Sequence, residues 1–180
     1  MHPAHVAPFV AASVQELVAR VDALPTLAVQ SVDLRDNVQL QVRFRSSTSQ
    51  ATAAALEGGG QLAGLPGMTV PIIGTLRTEE FILALDCTDF DSQPPAATLL
   101  DANGDRLPNE RWPHDKSGRG IVEGHPLYGD GKFFCRPGTR EFHSHPQHED
   151  EPWDSIREGM TLAGIVIGLL RDLTDRWTFR

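Results

Sequence analysis

Cysteine is scarce in this chain: Cys87 and Cys135 are the only two among 180 residues. One pair cannot staple a disulfide scaffold, so the fold has to rest on a hydrophobic core, which a chain of this length can build as a single domain. The opening MHPAHVAPF lacks the basic segment followed by an apolar one that marks a secretory leader, and a reducing, cytoplasmic setting is expected. Positive charge is also short. Sixteen Lys and Arg against 24 Asp and Glu leave a net charge of −8, which argues against nucleic acid or an anionic membrane surface as partner. The longest apolar run, residues 160–170, is too short to cross a bilayer and reads as a buried helix, so no membrane role is expected. The glycine run at 58–60 lacks the Gly-Lys-Ser/Thr ending of a phosphate-cradling loop, and no internal repeat is visible.

One stretch concentrates chemistry. Between Phe133 and Trp153 the chain reads FFCRPGTREFHSHPQHEDEPW. Cys135, His143, His145 and His148 supply one thiolate and three imidazoles, a full tetrahedral set for zinc. Read as an extended segment, Glu141, His143 and His145 alternate onto one face, and Pro146 turns His148 toward them, with Cys135 closing the site. Four bound ligands make a structural zinc; three leave an open position for metal-assisted hydrolysis with Glu141 as base. Alternatively Cys135 is a nucleophile, with Arg136 and Arg140 expected to favour its thiolate. The two uses exclude each other at Cys135, unless the histidines bind metal or act as base while the thiol carries an acyl group. Cys87, in a strand beside Asp86, reads as a buried inert thiol.

The surrounding pattern is α+β. Val10, Val14, Leu17, Val18, Val21 and Leu24 recur at helical spacing and stop at Pro25. Residues 27–34 and 38–44 read as strands joined by an Arg35-Asp36-Asn37 turn, and residues 80–86 and 96–100 as a second pair across a turn with Pro94-Pro95. Residues 46–67 read as a flexible Ala/Gly/Ser-rich insertion and 101–122 as a polar loop insertion. A final helix is expected from a cap at Asp154 or Ser155 to about Asp172, with Gly164 and Gly168 packed closely on the sheet. Trp177 and Phe179 are expected to dock on the domain or on a partner, and His2 and His5 to be unordered.

This order resembles the ubiquitin-conjugating enzyme fold: an N-terminal helix, a four-stranded antiparallel meander, an active-site loop and a helix packed on the sheet. Phe81 to Leu85 match the third strand, Phe90 through Pro94-Pro95 the proline turn, and His125-Pro126-Leu127 the His-Pro-Asn motif. His125 lies ten residues before Cys135 (135 minus 125), the spacing at which the family places its cysteine, with Gly131, Trp153 and the last helix following suit. The resemblance implies that Cys135 accepts a ubiquitin-like protein from its activating enzyme, as in divergent bacterial relatives with a Cys-Glu-His-His signature suspected of binding metal. The family's asparagine is Leu127 here, which cannot donate a hydrogen bond to an oxyanion. Residues 136–152, longer than in the family, form a His-rich active-site insertion, so that His143, His145 or Glu141 would replace the asparagine. Two alternatives stand beside this: a zinc hydrolase with Cys135, His143 and His148 as ligands, or a binding module with structural zinc. His143-Ser144-His145-Pro146 is also similar to the JAMM metallopeptidase motif, but Trp153 and Ile156 stand where its serine and aspartate belong.

Overall fold

The computed structural model describes residues 3–50, 75–90, 92–115, 118 and 120–179. Helix α1, Pro3–Asp22, opens the chain. Four strands follow: β1 Val29–Arg35, β2 Gln39–Gln50, β3 Thr75–Asp86 and β4 Ala96–Asp101. They pair antiparallel in sequence order, the meander expected from the alternation. Asp36 and Asn37 both take positive φ in the β1–β2 turn, a conformation that Asn and Asp tolerate better than most residues. Residues 46–50, expected to be flexible, instead extend β2 along β3 as far as the Gln50–Thr75 pair. The rest of the expected insertion, 51–67, lies outside the described residues, as does His2, whereas His5 falls within α1.

Period-two patterning places Leu40, Val42 and Phe44 against Leu85, Leu83 and Phe81, and Leu83 and Leu85 against Leu99 and Ala97. All eight are buried on one sheet face. The helix covering that face with α1 is α4, Leu162–Arg171, whose Leu162, Ala163, Ile165, Val166, Ile167, Leu169 and Leu170 are buried. Full burial of one such side chain is worth about 1.5–3 kcal/mol, so this layer dominates the driving force. The continuous last helix expected from residue 154 is broken into a single turn, α3 (Trp153–Ile156), a 3-10 turn and then α4. Thr161 accounts for the break, because its side chain accepts the Gly164 amide and starts a new helix there. Gly164 and Gly168 do not pack against the sheet. They lie on the outward side of α4, where the atom nearest to a Cβ at Gly164 would be Thr161 Oγ1 and the nearest to one at Gly168 would be in Arg136.

Strands β5 (Ile121–His125) and β6 (Gly129–Phe134) form a separate two-stranded hairpin from the end of the expected 101–122 loop, and β6 delivers Cys135. Side chains hold it in place: Phe134 contacts Trp112 and stacks on Trp177. Trp177 and Phe179 dock on the domain itself. Phe179 stacks on Phe81 with ring centroids 4.1 Å apart, and both rings are buried. Phe179→Ala is therefore expected to lower the unfolding free energy by about 3–5 kcal/mol, measured by urea denaturation.

Candidate functional site

Cys135 follows β6 directly, and its amide donates to the Gly120 carbonyl at 2.9 Å, which continues the hairpin pairing by one residue. The chain then turns sharply. Gly138 takes φ +94, and a Cβ there would lie 2.8 Å from Ile165 Cγ1, so backbone conformation and packing both demand glycine. Thr139 caps helix α2, Arg140–His143, by accepting the Phe142 amide, while its hydroxyl lies 2.8 Å from the Phe134 carbonyl and 2.9 Å from that of Arg136. The segment expected to be extended is thus one helical turn, followed by a second turn at Pro146–His148. Glu141, His143 and His145 consequently do not share a face.

Each residue of α2 grips something different. Arg140 donates its amide to the Pro95 carbonyl and its Nε to that of Pro94, which anchors the proline turn. The Glu141 carboxylate accepts the Ala97 amide of β4 at 3.3 Å, and Glu141 lines a different cleft from Cys135. Burial pushes its pKa up to about 7, against hydrogen bonds and nearby arginines that favour the charged form. Phe142 stacks on His148 with centroids 3.8 Å apart and planes 20° apart. His143 uses both ring nitrogens: Nε2 accepts the Gly138 amide at 3.0 Å and Nδ1 faces the Glu151 carbonyl at 2.8 Å, which fixes the proton on Nδ1. Burial pushes its pKa below the ordinary histidine value, in keeping with a neutral ring.

The pair this arrangement brings together is Cys135 and His148, with Sγ 3.3 Å from Nε2. They lie at the wall of a cleft of about 770 Å³ that Val122, Pro137, Phe142 and Gln147 also line. Cys135 is partly exposed, and burial pushes its thiol pKa up rather than down. The expected help from two arginines is absent because each is directed elsewhere. Arg136 Nε pairs with buried Asp172 at 2.9 Å, and Arg140 faces the proline turn. The group the Cys135 sulfur does meet is the His148 imidazole, with Nε2 3.3 Å away and within proton-transfer distance.

His145 stands further off, its ring 6.0 Å from that of His148, with Nδ1 accepting the Gln147 amide. Among the described residues no three His, Cys, Asp or Glu side chains are grouped so as to hold a metal. Two donors converge, Cys135 Sγ and His148 Nε2, one fewer than the three protein ligands of a catalytic zinc. Cys87 is fully buried, as expected, and burial pushes its pKa up to about 12. His125 is likewise spoken for: Nε2 faces the Glu141 carbonyl at 3.0 Å and Nδ1 accepts the Leu127 amide. Leu127 itself is 70% exposed at the hairpin tip. Sequence reasoning passed over Gly138, Thr139 and Phe142, although a glycine followed by a Thr ahead of a short helix is a readable capping signal.

No protein-family model and no curated protein sequence matches this chain.

Two outcomes follow from the geometry. Gly138→Ala is expected to destabilise the protein by more than about 1 kcal/mol in urea unfolding, through positive φ and the Ile165 contact. Glu141 binds its proton more tightly folded than unfolded, since its pKa of about 7 exceeds the ordinary 4.5. Its contribution is thus fully present below pH 4.5 and lost as pH rises through 7, on the order of 3 kcal/mol in all. Unfolding of Glu141→Gln across pH 5 to 8 should lack that decline, which the wild type should display.

Proposed function

We propose that this protein is a ubiquitin-conjugating-enzyme-like carrier, with Cys135 accepting the C-terminal acyl group of a ubiquitin-like protein and handing it on. The observation that carries this reading is the Cys135–His148 pair, a partly exposed thiol 3.3 Å from an imidazole beside an open cleft. The fold is consistent with it: an N-terminal helix, a four-stranded antiparallel meander and a later helix on the sheet, with the cysteine after the meander. His148 Nε2 takes the thiol proton, and the Cys135 sulfur adds to the thioester carbonyl that the activating enzyme presents. Collapse expels the activating enzyme's own thiolate, which takes a proton back. One thioester forms as another breaks, and no oxidant is needed. Leu127 contributes no donor to a developing oxyanion, and His148 replaces His143, His145 and Glu141 as the assisting group.

The same two donors also favour a second reading. A sulfur and a nitrogen 3.3 Å apart are half of a zinc site. His145 would have to swing to add a third ligand, as a metal-dependent hydrolase or a structural-zinc binding module would require.

The test uses the purified full chain with a ubiquitin-like protein, its activating enzyme and ATP. A thiol-sensitive adduct is expected on the wild type, a hydroxylamine-sensitive ester on Cys135→Ser, and none on Cys135→Ala. His148→Ala should slow adduct formation by about 10²–10⁴-fold. Stoichiometric zinc in the wild type that is lost in Cys135→Ala would overturn the carrier reading in favour of a metal site.

A further inference from the structure

His143 sits in the middle of the ligand cluster, yet its contacts give it a different task. Its two ring nitrogens reach backbone groups at two separate places, the Gly138 amide and the Glu151 carbonyl. Gly138 lies three residues past Cys135 (138 minus 135), and Glu151 three residues past His148 (151 minus 148). One imidazole therefore bridges the turn that follows the thiol to the turn that follows its base. The Glu151 amide donates in turn to the His148 carbonyl, and the His148 amide to that of His145, so the bridged end is rigidly coupled to His148. Phe142, the preceding residue on the same helical turn, holds the His148 ring by its face.

We propose that His143 is a positioning residue that sets the distance between Cys135 and His148, and is neither a base nor a ligand; this rests on the Cys135–His148 reading above. A base or ligand needs a free nitrogen lone pair, and the one His143 has is already accepting the Gly138 amide. Among the described residues, the His143 ring is the direct hydrogen-bonded link between the 135–139 turn and Glu151. Without it, His148 would keep its stacking on Phe142 but lose its register against Sγ. The neutral Nδ1–H tautomer is essential, because only that form donates to Glu151 while accepting from Gly138.

The test is a double-mutant cycle on Cys135 alkylation by iodoacetamide, with the rate followed from pH 6 to 10 for the wild type, His143→Ala, His148→Ala and the double variant. His143→Ala should slow alkylation near neutral pH by between about tenfold and a hundredfold. It should also move the pH profile toward that of His148→Ala. The double variant should react no more slowly than His148→Ala, since a residue acting through His148 has nothing left to lose. Conservative replacements separate the two halves of the bridge: Asn keeps a donor for Glu151 and Gln an acceptor for Gly138, and each should recover part of the rate. They also serve if the alanine variant does not fold. A wild-type profile in His143→Ala with a slow His148→Ala would overturn the positioning role alone. Additive losses in the double variant would overturn it too, by showing that His143 acts on the thiol directly. Wild-type behaviour in His148→Ala would remove the base of the proposed function, and the positioning role would fall with it.

Discussion

The Thr139 hydroxyl stands where strand becomes helix, and the whole site depends on it. Fully buried, it faces the last carbonyl of β6 and the Arg136 carbonyl, and it accepts the Phe142 amide. It therefore dictates where β6 ends and at what angle α2 leaves. A helix of one turn has almost no stability of its own, since nucleation is its entire cost and little propagation follows. Such an element persists only if its side chains are anchored outside it. All four of them are, to the proline turn, to β4, to the His148 ring and to the two flanking turns. The site is a knot of local contacts rather than a cavity carved into the sheet.

That construction explains how the elements divide the work. The meander and α4 supply the buried layer, and neither carries Cys135 or His148. The hairpin β5–β6 brings Cys135 out at the edge of this layer. The segment from 140 to 151 then folds back over the thiol, supplies the imidazole and shapes the cleft. Burial acts alike on the two groups: it raises the Glu141 carboxyl pKa to about 7, and it raises the Cys135 thiol pKa as well.

Much of the fold was legible in the chain because strict alternation has one structural solution. Leu40, Val42 and Phe44, set among Gln and Arg, can only be one face of a strand, and the two-residue periodicity of β3 follows the same logic. The site was legible in its membership and not in its geometry. Cys135 and His148 belonged to the cluster read from the sequence, but the extended reading of 141–145 put the wrong residues together. The reason is that a single capped turn leaves too short a pattern to outweigh an apparent alternation. Arg136 and Arg140 misled for another reason: their partners, Asp172 and the Pro94-Pro95 carbonyls, lie far away in the sequence. A nearby charge lowers a thiol pKa only if nothing else claims it.

The hairpin that delivers Cys135 shares no backbone ladder with the main sheet; among the described residues it forms its own two-stranded unit. Sheets joined by side chains can separate without breaking either ladder, so the hairpin has the makings of an independent unit of exchange. Its loosening would withdraw the thiol from the imidazole while the meander and α4 stayed folded. Such an opening would be sub-global, and hydrogen exchange at the hairpin amides would register it where a melting curve would not.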